Sequence, residues 1–230
     1  MKNTRINLKV ISKVAKALGE LNNRVVYVGG ATVSLHINDP AAEDIRPTKD
    51  IDISLEILTL GELENIRIQL NEKKFYQTSD ATVMCRFFYD DITVDVMSTN
   101  AVGWAPADRW FAPGFKHVEI REVEGQQIRI LPLAYFMATK FSAFHDRGAR
   151  DPRTSKDFED ITYILDNRID LVEQINNSPE EVKQYLISEF KVILNDKGLQ
   201  EAIMANLFYE TQAVRYRNIM MKLNSIVSAS

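Results

Sequence analysis

The chain has 230 residues, 45% of them apolar and 26% charged, which excludes disorder, collagen-like repeats and a continuous coiled coil and leaves one large or two small domains. A formal net charge of −4 gives no global attraction to nucleic acid, and the single cysteine, Cys85, excludes an internal disulfide and a cysteine-built zinc site. A lone thiol, no secretory-type apolar core near the N-terminus and no apolar run approaching about 20 residues together predict a cytoplasmic protein without a membrane partner.

Residues 5–21 place Ile6, Val10, Val14, Ala17, Leu18 and Leu21 at helical spacing, with basic residues on the opposite side. Arg24–Val28 reads as a buried strand that Gly29-Gly30 ends, and 31–37 as a short helix. After a loop over 38–48, Asp50–Ile57 alternates as a second strand, and Thr59 with Glu62 forms a capping-box pair ahead of a helix carrying Leu63, Ile66 and Leu70. Thr82–Tyr89 and Ile92–Met97 read as strands joined at Asp90-Asp91, and Lys116–Arg121 and Gln127–Leu131 as a second hairpin around Glu124-Gly125. Trp104 and Trp110 lie in the loop between the hairpins, where they either stack on a base or pack the loop down.

From Pro132, read as a helix N1 residue, helical periodicity dominates. Ser178-Pro179-Glu180-Glu181 reads as a helix start with Ser178 as cap, and Gly198 as the residue before one last long helix, 199–227. The expected organisation is α+β: a mixed sheet flanked by helices over 1–131 and an all-helical domain over 132–230.

The chemistry concentrates in Val28-Gly29-Gly30 and Arg46-Pro47-Thr48-Lys49-Asp50-Ile51-Asp52. Residues i and i+2 of a strand share a face, so Asp50 and Asp52 repel unless a cation lies between them, and oxygen-only ligands select Mg²⁺ or Mn²⁺. Asp95, embedded in the apolar run ITVDVM, needs a partner or a metal, and a lysine is one candidate. If its strand lies beside that of Asp50 and Asp52, three carboxylates converge, enough for a two-metal phosphoryl-transfer site. Gly29-Gly30 would expose backbone N–H groups to a triphosphate, with Thr32 and Ser34 adding hydroxyls.

This arrangement resembles the polymerase-β-like nucleotidyltransferase superfamily, and within it VGG…RPTKDIDI is similar to small bacterial members and to the abortive-infection toxin-type nucleotidyltransferases. The segment LPLAYFMATKFSAFHDRGARDPRTSKDFEDITYIL resembles their helix pair, with Lys140 on the helix lysine and Lys156, Asp157 and Asp160 on the second motif. The likeness covers about residues 25–166, and the 20-residue spacing from Gly30 to Asp50 exceeds the usual one. It implies that Asp50, Asp52 and Asp95 are catalytic metal ligands. Gly29, Gly30, Thr32, Lys140 and Asp157 are implied to bind nucleotide.

The implied activity is Mg²⁺-dependent transfer of an NMP group from an NTP to an acceptor hydroxyl on an RNA end, a protein or a small molecule, with an antitoxin as an expected partner. The alternatives are a non-catalytic nucleotide-binding regulator on the same fold, or an interaction protein using its C-terminal helices. For Lys140 the competing reading is a lysine snorkelling to water, and for Asp157 and Asp160 it is favourable charge at a helix start. Arg147, Arg150, Arg153 and Lys156, opposed in sequence only by Asp151, are a candidate phosphate or RNA contact.

Overall fold

The structure is a computed structural model describing residues 2–78 and 83–229. It divides into two compact units, residues 1–34 with 43–132 and residues 35–42 with 133–230. Among the described residues no helix is long and apolar enough to cross a membrane.

The first unit is a six-stranded mixed sheet with helices. It contains helix α1 (Lys2–Leu18), strands β1 (Val26–Val28) and β2 (Asp50–Leu55), helix α2 (Leu60–Glu72), and strands β3 (Arg86–Tyr89) and β4 (Ile92–Ser98). A short helix α3 (Phe111–Phe115) and strands β5 (Glu119–Val123) and β6 (Gln126–Ile130) complete it. Strand order is β3-β4-β2-β1-β6-β5. The hairpins β3/β4 and β5/β6 and the pair β1/β2 are antiparallel, whereas β2/β4 and β1/β6 are parallel. The expected strand start at Thr82 lies outside the described residues, and the strand itself opens at Arg86.

Period-2 apolar residues explain the core. Ile51, Ile53, Val94, Val96 and Phe87 are buried, while Asp52, Thr93, Asp95 and Met97 lie on the more open face. Asp95 therefore sits in a strand buried on one side, not on both as its apolar neighbours suggest. The capping box at Thr59 and Glu62 forms as its spacing predicts. The helix expected at 31–37 is instead a 3₁₀ segment, Gly30–His36. Trp104 donates to Glu64 and tilts against Phe87, and Trp110 is buried, so both tryptophans pack the loop down.

Helix α1 buries Ile11, Val14, Ala15 and Leu18. Buried Asn7 donates to the Arg46 carbonyl at 3.1 Å and accepts from the Thr48 N–H at 2.9 Å, tying the helix to the loop that leads into β2. At its N-terminus the Asp44 carboxylate accepts from the N–H groups of Asn3 and Thr4 at 2.7 and 3.0 Å. Partial burial pushes the Asp44 carboxyl up, but those N–H donors and the Thr4 hydroxyl outweigh it and hold it below its ordinary value. A lowered folded-state value means that the stabilisation exists at neutral pH and drains away in acid. Asp44→Ala is thus expected to cost about 1 kcal/mol at pH 7 and progressively less below about pH 4, read from thermal melts at both pH values.

The second unit holds helices α4 (Leu133–Ala143), α5 (Lys156–Asn167), α6 (Leu171–Asn176), α7 (Glu180–Asn195), α8 (Lys197–Ala205) and α9 (Gln212–Ser228). Ser178 does not cap α7. Its hydroxyl donates back to the Ile175 carbonyl at 2.7 Å, closing α6, and Pro179 occupies the cap position. The single last helix expected over 199–227 is two. Asp196 caps α8 through the Leu199 N–H, which puts Gly198 inside the helix. Side chains of Asn206 and Gln212 satisfy the Ala202 and Met204 carbonyls, which ends α8 before α9 begins. Leu199, Ile203, Leu207 and Leu223 are core residues, whereas Val214 is exposed.

Candidate functional site

One rung crosses four strands of the first unit. Asp52 on β2 pairs in register with Val28 on β1 and with Asp95 on β4, and Asp95 pairs in turn with Arg86 on β3. In-register neighbours project to the same face, so the open face carries Arg86, Asp95 and Asp52 side by side, with Asp50 two residues along from Asp52. The expected adjacency of the two acidic strands is what the sheet shows.

Gly29 closes the rung from the β1 side. Its φ of +74° is left-handed, and a Cβ built there would stand 1.8 Å from Asp52 Oδ2. The glycine turn and the aspartates therefore meet despite the long loop between them. Thr32 is buried, and its hydroxyl donates to the Gly29 carbonyl at 3.0 Å, so it secures the turn that Gly29-Gly30 makes. The Ser34 hydroxyl is shut away from solvent and makes no hydrogen bond among the described residues.

Arg86 is the residue on the acidic face that the sequence reasoning missed. Its Nε and Nη2 donate to Asp95 Oδ1 and Oδ2 at 2.8 and 2.7 Å, a bidentate pair. Those hydrogen bonds hold the guanidinium above its already high range. The signal was present: a turn at Asp90-Asp91 pairs Tyr89 with Ile92, and counting back along the hairpin sets Arg86 opposite Asp95. No three acidic or other metal-ligating side chains among the described residues are gathered closely enough to grip a metal ion as they stand. Burial, together with the negative charge of Asp95, pushes the neighbouring Cys85 thiol up, which makes it a poor nucleophile.

In the second unit, Lys140 and Asp157 form a buried cluster with Asp160 and Arg147. Lys140 Nζ lies 2.7 Å from Asp160 Oδ2 and 3.2 Å from Asp157 Oδ1, with all three side chains at most 6% exposed. Lys140 therefore does not snorkel to water. Arg147, set by a π turn that extends α4 over Phe144–Gly148, adds bonds of 2.8 and 3.1 Å to Asp157. Gly148 leaves room for Ser155, which caps α5 through the Phe158 N–H, and α5 in turn presents Asp157 from its first turn. Burial favours the neutral form of Asp157, but Arg147 and Lys140 overcome it and hold the carboxyl below its ordinary value. The arginine-rich turn is partly neutralised, since Arg147 holds Asp157 and Arg153 holds Asp151.

No curated protein matches the chain. A family model described as nucleotidyl transferase AbiEii toxin, type IV TA system, matches residues 86–229, a span that includes Asp95, Lys140 and Asp157. Among solved structures, an antigenic nucleotidyltransferase-like protein from Paracoccidioides brasiliensis aligns at 17% identity over 86% of this chain and 92% of its own, with a TM-score of 0.49. The antibiotic-resistance factor ANT(2″)-Ia aligns at 12% identity over 82% and 95%, with a TM-score of 0.47. JHP933 from Helicobacter pylori aligns at 14% identity over 96% and 93%, with a TM-score of 0.35.

Proposed function

The chain belongs to the AbiEii nucleotidyl transferase toxin family of type IV toxin–antitoxin systems, and from that premise we propose that the rung Gly29–Asp52–Asp95 is the seat of NMP transfer from an NTP to an acceptor hydroxyl. The observation that carries the reading is the in-register pairing of Asp52 with Asp95, with Gly29 held against Asp52 where no side chain would fit.

The donor set fits a divalent cation of the Mg²⁺ or Mn²⁺ type. It is oxygen-only, it lies on the open face of the sheet, and it keeps room at Asp52 that a Cβ on residue 29 would fill. Asp50, Asp52 and Asp95 would hold the ion once their side chains turn toward one another, because no three such groups among the described residues stand close enough as they are. When bound, it would offset the charge of the transferring phosphate and favour ionisation of the attacking hydroxyl.

The chain's own groups do the rest. Gly29 and Gly30 bring bare backbone to the site, where N–H groups receive phosphate oxygens without a side chain in the way. Arg86 holds both oxygens of Asp95, fixes its orientation and offsets its charge beside Asp52. Lys140 and Asp157, which the likeness implies as nucleotide contacts, spend their charges on each other and on Asp160 and Arg147 within the second unit. Positioning and preorganised charge supply the catalysis. The family places an antitoxin among the expected partners.

The test is a transfer assay with each α-labelled NTP, Mg²⁺ and three acceptor pools: total RNA, lysate protein and small-molecule hydroxyl compounds. Label is expected on one pool, lost on adding EDTA and restored by excess Mg²⁺ or Mn²⁺. Labelling that survives EDTA would contradict the metal assignment, and no labelling of any pool would contradict the transfer reading.

A further inference from the structure

The face of α1 that points away from the core carries five basic side chains and no acidic one. Lys2, Arg5, Lys9, Lys13 and Lys16 are all exposed and fall at intervals of three or four residues, which is one side of a helix. They span about 21 Å at 1.5 Å per residue. The first nineteen residues contain no acid, so this helix carries +5 in a chain whose total is −4. Among the described residues Lys2, Arg5, Lys9 and Lys16 form no ion pair, while Lys13 meets Asp90 at 2.7 Å.

The pattern runs against what helix stability alone would select. Lys2 and Arg5 occupy the first turn, where the helix dipole disfavours positive charge, and no acid stands there to offset them. Asp44, from another segment, relieves that end through the Asn3 and Thr4 N–H groups. A basic amphipathic helix ordinarily raises two readings, a membrane surface or a polyanion. Here the apolar side is committed to the core through Ile11, Val14, Ala15 and Leu18, and the one large apolar side chain of α1 that is exposed, Ile6, is too little to anchor the helix in a bilayer.

Like-charge spacing over 21 Å suits a phosphodiester backbone, which presents about one charge every 3.4 Å along a strand. The helix is also fastened through Asn7 to residues 46 and 48, just ahead of Asp50.

We propose that the α1 stripe is a docking surface for the phosphate backbone of an RNA. This deepens the transfer reading and rests on it for one point, that the bound strand carries the acceptor hydroxyl. Lys13 contributes less than the others because Asp90 already holds it.

The experiment measures binding of a fluorescent 20-nucleotide RNA by anisotropy across a salt series. It compares the wild type with a quadruple variant, Lys2→Gln, Arg5→Gln, Lys9→Gln, Lys16→Gln, and with the two pairwise halves of that set in case the quadruple variant folds poorly. The quadruple variant is expected to bind at least tenfold more weakly at 50 mM salt. Its salt slope should fall by about 3, at about 0.7 for each single-strand phosphate no longer neutralised, and each half by about half as much. Wild-type affinity and slope in folded variants would overturn the proposal, as would binding to anionic lipid vesicles with none to RNA. An Asp52→Asn chain should bind RNA as the wild type does. Stripe-dependent binding without transfer would therefore refute the transfer reading alone, and transfer without stripe-dependent binding would refute this proposal alone.

Discussion

Replacing Lys140 with methionine is expected to cost the helical unit about 3–5 kcal/mol, the range for removing one partner of a buried ion pair. Lys140 Nζ lies 2.7 Å from Asp160, whose side chain is 1% exposed, and Lys140 shares Asp157 with Arg147. Without the ammonium, the Asp160 carboxylate keeps its desolvation penalty and loses the charge that offset it. Methionine matches the lysine stem in volume, so the loss reports charge and not a cavity. The double variant Lys140→Met/Asp160→Leu should recover most of the lost stability, because an apolar pair of similar size carries no desolvation penalty. Denaturant melts of the three proteins decide this. The cluster also sets a pH dependence. The Asp157 carboxyl is held below its unfolded value of about 3.9, so its contribution is full above that range and drains as pH falls through the folded value. The wild type should lose stability faster than Lys140→Met between about pH 5 and pH 2, and parallel curves would contradict the assignment.

Gly29→Ala is expected to lower the transfer rate at least 100-fold, because displacing a reacting group by about 1 Å costs that much. Two penalties combine. Alanine at φ +74° carries left-handed strain of about 1–2 kcal/mol. Its Cβ would also lie 1.8 Å from Asp52 Oδ2, and the backbone cannot retreat while Val28 and Asp52 remain paired across β1 and β2. The carboxylate must swing away, out of the place proposed for it in the transfer site. Gly125 separates the two effects. It has φ +78° in the β5/β6 turn with nothing within 4 Å of an added Cβ, so Gly125→Ala meets the strain alone. That variant should lose similar backbone stability and keep its transfer rate. Equal losses of activity in both would show that strain, and not contact with Asp52, is what matters at Gly29.

Much of this site could be read from residue order, because strand geometry is local. Alternation with period 2 put Asp50 and Asp52 on one face and placed Asp95 in a strand. The neighbour of β2 is a long-range choice that no local pattern encodes, and only the parallel β2/β4 pairing turns two motifs into one rung. Arg86 was legible in principle, since the Asp90-Asp91 turn fixes the hairpin register. Seeking a lysine as partner for Asp95 passed over it. Lys140 stood out as a charge in an apolar helix, yet its burial between Asp157 and Asp160 depends on how α5 packs on α4, which periodicity does not specify. The last helix was read as continuous because its apolar spacing runs through 206–211. Side-chain capping by Asn206 and Gln212 breaks it there, and polar side chains that can turn back on the backbone compete with helix at such points.

Asp52→Asn tests most directly whether the acidic rung performs the transfer. Asparagine keeps the shape of the side chain and removes its charge. The fold should hold, with a melting temperature close to the wild type's, since the substitution keeps the side chain's size on the open face of the sheet. Transfer of label from an α-labelled NTP under saturating Mg²⁺ should fall by about 10³-fold or more, the scale for losing one preorganised electrostatic group in a transfer site. A folded Asp52→Asn protein that keeps more than a tenth of the wild-type rate would contradict the account and move the chemistry away from this face of the sheet.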